Sequence, residues 1–303
     1  MLGSAEIVKQ AWKIGLTVPS FNVPHLPMVE PLVRAARDTD SFALIAVSRI
    51  DWMKFEAKGV RPMAEEFSKH ADESHVRLHL DHVPVIDEDH LDVDYVTTIK
   101  EALAAGYQSV MVDASRLDLK GNIAATREIV KLAHTAGVPC EAELGAVLGH
   151  EAGPLPPYEE LFRSGRGFTD VEEARRFVKE TRCDWLSVAV GNIHGAVSDA
   201  LRDQKKPEAR LDLEHLEKLS RAAGVPLVLH GGSGVRRDSV LGAVKRGIAK
   251  VNVGTEIRQA YEAGLKDGGS IAKGQEAVYE RTVSLIRDYF GLEGTRKTLF
   301  GEG

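Results

Sequence analysis

Three histidines of this sequence stand directly after short apolar segments, in places where they could share one cation. His82 ends the string His-Leu-Asp-His, His194 lies within Gly-Asn-Ile-His-Gly, and His230 opens His-Gly-Gly-Ser-Gly. Imidazole nitrogens are common zinc ligands, and a catalytic zinc ion keeps one coordination position open for substrate. A single histidine of this kind is more simply explained as a hydrogen-bonded group of the core or of a loop. Three in equivalent places favour a metal site.

Two carboxylates follow apolar segments in the same way. Asp113 ends the string Val-Met-Val-Asp, and Glu143 lies in Glu-Ala-Glu-Leu-Gly. A buried carboxylate is costly unless a cation or hydrogen-bond donors face it. Two interpretations stay open for each residue, namely a metal-site group or a salt bridge to a nearby Lys or Arg. His79 shares a strand face with Asp81, and we expect it to be an internal hydrogen-bond partner rather than a ligand.

A glycine-rich string, Gly231-Gly232-Ser233-Gly234, leads from an apolar segment into a helical one. Glycines let backbone amides approach an anion closely, and a helix N-terminus adds positive potential, so this string can bind a phosphate. By itself it could also be a tight loop. Asn252-Val253-Gly254-Thr255 would form the other side of the phosphate site.

The elements that must position these residues alternate along the chain. Short strings rich in Val, Ile, Leu and Ala recur between segments of helical period, which predicts repeated βα units. The predicted strands are Thr17–Asn22, Phe42–Ser48, Val76–Asp81, Gln108–Asp113, Val138–Glu143, Trp185–Val190, Pro226–His230 and Lys250–Asn252 with its neighbours. Eight such units without a break favour a closed α/β barrel, a (β/α)8 TIM barrel, in which the ends of these strands meet at one active-site face.

The remaining segments complete this barrel. We expect residues 1–303 to form a single (β/α)8 domain, with additional terminal helices from Glu256 onward. The long connections 145–168 and 191–210 follow strands at the active-site end, and such loops can act as lids. Lys250 begins the eighth predicted strand, and we expect its side chain to point away from the site.

Composition excludes several classes of partner. The chain has 303 residues, a formal net charge of −6 and a pI near 6.0. No long run of Lys and Arg offers an exception, so we expect neither nucleic acid nor a membrane as a partner. No apolar run approaches membrane-spanning length. Cys140 and Cys183 stand in apolar segments, which indicates buried, reduced thiols and a cytoplasmic protein.

Taken together, these motifs resemble those of the class II, zinc-dependent ketose-bisphosphate aldolases, which include fructose-bisphosphate and tagatose-bisphosphate aldolases. The motifs His-Leu-Asp-His, Val-Met-Val-Asp, Glu-Ala-Glu-Leu-Gly, Gly-Asn-Ile-His-Gly, His-Gly-Gly-Ser-Gly and Asn-Val-Gly-Thr-Glu follow in the family's order. The resemblance spans nearly the whole chain. It implies a lyase that makes or breaks a carbon–carbon bond in a phosphorylated ketose, giving dihydroxyacetone phosphate and an aldehyde. As a cofactor it implies Zn²⁺ or another divalent metal, and it allows for a monovalent cation.

The resemblance also implies roles for individual residues. His82, His194 and His230 would bind the metal, with Asp113 and Glu143 at a second or alternative metal position. Asp81 would be the acid/base at the hydroxyl of the cleaved carbon, and Glu151 would exchange the proton on the carbon nucleophile. Residues that would line the phosphate and ketose pocket are Asn22, Ser48, Gly195, Gly231, Gly232, Ser233, Asn252, Gly254 and Thr255.

Two departures from the family pattern bear on the substrate. Many members have Tyr-Lys shortly after the sixth-strand histidine, whereas Ala196-Val197-Ser198 stands here. The acidic stretch 87–94 follows the third strand, where it could disfavour a second phosphate or be only a solvated loop. Two alternatives to an aldolase remain, a metal-dependent barrel hydrolase and a catalytically silent sugar-phosphate-binding protein. By family likeness we expect a homodimer or homotetramer.

Overall fold

The computed structural model describes residues 2–145, 157–192 and 209–302. Eight strands form a closed barrel in chain order, and each pairs in parallel with its neighbours. The strands are β1 Val18–Asn22, β2 Ala43–Ser48, β3 Val76–Pro84, β4 Ser109–Asp113, β5 Cys140–Leu144, β6 Trp185–Val188, β7 Leu227–Leu229 and β8 Ile248–Val253. The predicted (β/α)8 barrel is therefore confirmed.

Helices follow the strands and cover the outside of the barrel. They are α1 Ser4–Ile14, α2 Val29–Asp38, α3 Arg49–Met53, α4 Val60–His70, α5 Tyr95–Ala104, α6 Leu119–Thr135, α7 Tyr158–Ser164, α8 Val171–Thr181, α9 Leu213–Ala223, α10 Arg237–Val244, α11 Thr255–Gly268, α12 Ile271–Ser284 and α13 Arg296–Phe300. A 3₁₀ turn, Leu26–Met28, precedes α2, and a π-helical turn, Leu285–Phe290, follows α12.

Aspartate caps explain where several of these helices begin. Asp94, Asp118, Asp170 and Asp212 precede α5, α6, α8 and α9, and each side chain accepts a hydrogen bond from a backbone N–H of the first turn. Such a cap satisfies one of the amide groups that a helix start leaves without a partner.

The strands are buried because helices pack outside them and side chains fill the barrel. All six residues of β2 are buried. At the N-terminal ends of the strands, α1 packs Ile7, Val8 and Ala11 against Trp185 and other buried residues. One end of the barrel is therefore closed, and chemistry is confined to the end where the strands finish. No helix in the described ranges is long and apolar enough to cross a membrane.

Candidate active site

A β-bulge in β3 brings Asp81 and His82 to the same site. Leu80 pairs with Val110 and Val83 with Val112, so Asp81 and His82 together lie opposite Met111. His82 has a φ of 29°, a conformation that an L-residue rarely adopts. Consecutive strand residues normally point to opposite faces, and a bulge changes the direction of a side chain. Here it lets both residues reach the C-terminal mouth of the barrel.

The imidazoles of His82 and His230 meet at that mouth. His230 follows β7, and its Nδ1 lies 2.5 Å from Nε2 of His82. The ring centroids are 4.3 Å apart, with the ring planes nearly perpendicular at 83°. His230 is fully buried, whereas the His82 side chain is 17% exposed, so one side of the pair is open toward the mouth.

A carboxylate stands behind each of these rings. Nδ1 of His82 lies 3.2 Å from Asp113 Oδ2, and Nε2 of His230 lies 2.7 Å from Glu141 Oε1. An ionised carboxylate only accepts hydrogen bonds, so the ring nitrogen that faces it carries the proton. When both rings are neutral, the two nitrogens that face each other therefore carry the lone pairs. This arrangement suits a shared metal ion, whose histidine ligands commonly donate their other N–H to a carboxylate.

Glu143 completes a set of three donors. Its Oε2 lies 3.9 Å from His82 Nε2 and 3.8 Å from His230 Nδ1, and the Ser187 hydroxyl donates to the same oxygen at 3.1 Å. His82, Glu143 and His230 offer three ligand atoms within 4.8 Å of one another. Nitrogen and carboxylate donors of this kind suit Zn²⁺. No Lys or Arg pairs with Glu143 in the ranges that the structure describes.

The electrostatics of this set also favour a cation. Burial, followed by the charge of Asp113, raises the pKa of Glu143 to about 8. Burial would lower the pKa of His82, but the hydrogen bond with Asp113 and the charges of Asp81 and Glu143 outweigh it and raise that pKa to about 10. The cluster thus retains a proton among its donors at neutral pH. A divalent ion would replace that proton, since ligands bind metals in their deprotonated form.

Asp81 lies beside this set and is held on both oxygens. The Asn22 side-chain amide donates to Oδ2 at 2.8 Å, and the Asn252 amide donates to Oδ1 at 2.9 Å. Burial alone would raise the pKa of Asp81, but the charge of Lys250 and the His79 imidazole, whose Nε2 lies 3.6 Å from Oδ1, hold it well below its usual value. Asp81 is therefore an ionised, oriented carboxylate at the bottom of the mouth.

The expectation that Lys250 points away from the site is wrong. Lys250 is fully buried inside the barrel, and its Nζ lies 2.7 Å from Glu141 Oε2 and 3.8 Å from Asp81 Oδ1. The reason is the alternation of β8, which places Lys250 on the same face as Asn252. His79 is an internal partner as expected, with Nδ1 2.9 Å from the Ser109 hydroxyl.

Ser48 and Asp51 form the wall of the site after β2. The Ser48 N–H and hydroxyl both donate to Asp51 Oδ2, at 2.8 and 2.7 Å, in a capping box that starts α3. Burial raises the pKa of Asp51 to about 6, and the nearby charge of Asp81 adds to this. Sequence reasoning missed Asp51, although the spacing of Ser48 and Asp51 is the signature of such a box.

The glycine-rich loop after β7 packs tightly against the end of β8. A Cβ on Gly232 would lie 2.6 Å from Val251 Cγ1 and 2.8 Å from the Asn252 carbonyl oxygen, to which the Gly232 N–H donates. Gly231 adopts a φ of 64°, and Ser233 is 5% exposed. The predicted phosphate segments are therefore adjacent in space.

Gly254 and Thr255, two further residues predicted at the phosphate site, lie beside Asn22 and at the start of α11. Gly254 stands next to Asn22, since a Cβ there would lie 3.4 Å from Asn22 Cβ. Thr255 is the first residue of α11, so its backbone belongs to a helix N-terminus. The Gly234 N–H donates to Glu256 Oε1 at 3.0 Å, which joins the two segments.

The acidic stretch 87–94 is a folded turn rather than an open loop. Asp87 is 3% exposed, its Oδ1 accepts from the N–H groups of Asp89 and Leu91, and its Oδ2 lies 3.2 Å from Arg49. Part of its charge is therefore neutralised. Glu151, His194 and Gly195 lie outside the described residues, as do residues 146–156 and 193–208 of the two long connections.

Comparisons with known proteins show the family to which this chain belongs. The sequence model of the family described as "Fructose-bisphosphate aldolase class-II" matches residues 3–294. A "Fructose-bisphosphate aldolase" of Streptococcus pyogenes serotype M3 is 33% identical over 287 residues, covering 92% of this chain and 87% of the relative.

Solved structures give the same result. The YdjI aldolase from Escherichia coli K12 superposes with a TM-score of 0.75 at 28% identity, covering 98% of this chain and 100% of that one. A fructose-bisphosphate aldolase from Campylobacter jejuni has a TM-score of 0.73 and covers 96% of each chain; at 18% identity this likeness shows the fold alone.

Proposed function

The chain belongs to the class II fructose-bisphosphate aldolase family, and we propose that His82 and His230, with Glu143 beside them, form the metal centre of its aldolase site. Family membership makes the protein a metal-dependent aldolase, a carbon–carbon lyase that acts on a phosphorylated sugar. The hydrolase and the silent binding protein find no support. The observation that carries the proposed site is the pair of ring nitrogens, 2.5 Å apart, each ring backed by a carboxylate.

We propose that the metal is Zn²⁺ and that His194 is its third histidine ligand. When bound, the ion supplies Lewis-acid polarisation of the substrate ketone and stabilises the negative charge that develops on its oxygen. Asp113 lies behind His82, where it orients the ring and can serve an alternative metal position together with Glu143. Use of a monovalent cation at the phosphate end also belongs to this proposal.

Asp81 is proposed to move the proton of the hydroxyl on the cleaved carbon. Its low pKa keeps it ionised, so in the cleavage direction it accepts this proton as the carbon–carbon bond breaks. Asn22 and Asn252 hold its two oxygens in place. Glu151 is proposed to return a proton to the carbon nucleophile, which then leaves as the ketose fragment.

The phosphate of the ketose is proposed to bind between the loop after β7 and the end of β8. The backbone of Gly231, Gly232 and Ser233 lines one side, and Asn252, Gly254 and Thr255 line the other. Two observations support this location, the close packing of the segments at Gly232 and the start of α11 at Thr255. Ser48 and Gly195 are proposed to contact the rest of the ketose.

We propose dihydroxyacetone phosphate as the ketose fragment and fructose 1,6-bisphosphate as the first substrate to test. The aldehyde is the open part of this proposal, because residues 196–198 lack the lysine that many members have at the phosphate end and the acidic stretch 87–94 disfavours a second phosphate on the aldehyde. We also propose a single catalytic domain over residues 1–303, a homodimer or homotetramer, and a cytoplasmic location. Buried, unpaired Cys140 and Cys183 support the last of these.

The experiment that tests this function incubates zinc-loaded protein with dihydroxyacetone phosphate and a panel of phosphorylated and unphosphorylated aldehydes. We expect condensation products by mass spectrometry with zinc-loaded protein and none with chelator-treated protein. Release of inorganic phosphate without any new carbon–carbon bond would contradict the proposal. The panel also ranks the aldehydes, which the sequence departures leave open.

A further inference from the structure

Lys250 is a buried lysine for which the mechanism above has no use. Its side chain is fully buried in β8, and its charge faces Glu141 at 2.7 Å and Asp81 at 3.8 Å. Burying an ammonium group costs free energy even when the group is paired, so the burial of Lys250 calls for a functional reason. The partners of Lys250 indicate what that reason is.

Glu141 connects Lys250 to the metal centre. One carboxylate oxygen, Oε2, accepts from Lys250 Nζ, and the other, Oε1, faces Nε2 of His230 at 2.7 Å. Glu141 is itself fully buried, so water does not compete for either oxygen. With each oxygen engaged by a different partner, the carboxylate cannot rotate without breaking one of these contacts.

We propose that Lys250 is a positioning residue for the metal: it fixes Glu141, and Glu141 fixes the His230 imidazole with Nδ1 turned toward the ion. This inference rests on the proposed function, in which His230 is a ligand. Carboxylates that hold metal-binding histidines set the tautomer and orientation of the ring, and their loss typically weakens metal binding by about 10- to 100-fold. Lys250 extends this arrangement one residue further from the ion.

A second observation supports the same role. His79, Asp81 and Glu141 form another group whose ligand atoms lie within 4.8 Å of one another and could hold a metal. The ammonium group of Lys250 is close to two of its three members, Glu141 and Asp81. Lys250 thus offsets one of the two negative charges of this lower group with a fixed cation and leaves His82, Glu143 and His230 as the set for a divalent ion.

The test compares Lys250→Met with Arg77→Met. Arg77 is the matched control, because it is also a buried strand cation, 3% exposed, but it hydrogen-bonds backbone carbonyls of Val76 and Leu2 at the closed end of the barrel. Zinc affinity is measured by competition with a chromophoric chelator. Ligand geometry is followed by the visible absorption of the cobalt(II)-substituted proteins.

We expect Lys250→Met to weaken zinc binding by about tenfold or more and to change the cobalt spectrum. Arg77→Met should bind zinc like the wild type and keep its cobalt spectrum, even if its melting temperature falls. Wild-type zinc affinity and an unchanged spectrum in folded Lys250→Met would overturn the inference.

A double variant keeps the test decisive if Lys250→Met does not fold. Glu141→Gln and Glu141→Gln/Lys250→Met are then compared, because the double variant removes both charges together. If Lys250 acts through Glu141, the second substitution adds no further loss of zinc affinity. A further loss as large as the first would show that Lys250 acts by another route, and the inference would fail.

His230→Ala separates this inference from the proposed function. Loss of zinc in His230→Ala with no effect of Lys250→Met would reject the role of Lys250 alone. Full zinc content in His230→Ala would reject the metal site itself, and the inference with it.

Discussion

Nε2 of His82 and Nδ1 of His230 lie 2.5 Å apart, although the two residues are separated by 148 positions in the chain. The bulge in β3 and the end of β7 bring them together. Without a metal ion, two ring nitrogens at this distance share a proton, because two facing lone pairs would repel each other. The proposed metal site, in which an ion displaces that proton, therefore depends on the barrel and on the carboxylates behind each ring.

Alanine at either histidine should remove the metal. After zinc loading and dialysis, we expect the His82→Ala and His230→Ala variants to retain less than about a tenth of the wild-type zinc content. Each variant lacks one metal ligand, while the other ligands stay in place. Inductively coupled plasma mass spectrometry measures the ratio of zinc to protein. His134→Ala is the control, since His134 pairs with Asp184 on the surface. Equal zinc content in all three variants would rule out both ligands.

Asp81→Asn should separate metal binding from turnover. Asparagine keeps the size of the side chain but cannot accept a proton, so we expect kcat to fall by about a hundredfold or more. Zinc content should stay within error of the wild type, because Asp81 is not among His82, Glu143 and His230. Steady-state kinetics on wild-type and Asp81→Asn samples of equal zinc content measure this change in kcat. Normal turnover would remove Asp81 from the mechanism.

Asp51 should make stability depend on pH. The pKa of Asp51 is about 6 in the folded chain against an ordinary value of 3.8, so the unfolded chain ionises first as the pH rises. Its contribution to stability is therefore complete below pH 4 and is lost as the pH rises through 6. Asparagine at position 51 does not ionise. Between pH 4 and pH 6 the free energy of unfolding of Asp51→Asn should therefore rise by up to about 3 kcal/mol relative to that of the wild type.

Urea unfolding of metal-free wild type and Asp51→Asn at pH 4, 5, 6 and 7 checks this dependence. The metal-free form is used so that zinc release at low pH does not contribute. If the difference in the free energy of unfolding between wild type and Asp51→Asn stays constant with pH, Asp51 titrates in the folded chain as it does in the unfolded one. That result would contradict the prediction.

Gly232→Ala should destabilise the loop after β7. The new methyl group would lie 2.6 Å from Val251 Cγ1, so the loop or β8 must shift, at a cost of about 1–3 kcal/mol. Gly254→Ala is the matched comparison, because its methyl group would meet Asn22 Cβ at 3.4 Å, an ordinary contact. Both lose a glycine from the unfolded chain, so the difference between them isolates the clash. Thermal unfolding measures the difference in stability between Gly232→Ala and Gly254→Ala. Equal stabilities of the two variants would contradict the close packing at Gly232.

Sequence patterns predicted the barrel and the placement of its strand ends, because the alternation of short apolar strings with segments of helical period is a local signal. They could not predict the bulge at His82, since strand alternation places His82 and Asp81 on opposite faces. The salt bridge of Lys250 could not be predicted, because its partner Glu141 is 109 positions away. Alternation alone does place Lys250 on the face of Asn252, so its inward direction could have been read from the sequence. The pairing with Glu141 needed the closed barrel.

The most direct test of the metal site is anomalous scattering at the zinc edge from crystals of the zinc-loaded protein. We predict one strong peak between the two histidines, about 2.0–2.1 Å from Nε2 of His82 and from Nδ1 of His230. A peak elsewhere, with these two nitrogens bonded to no metal, would contradict the site on which the proposed aldolase chemistry depends.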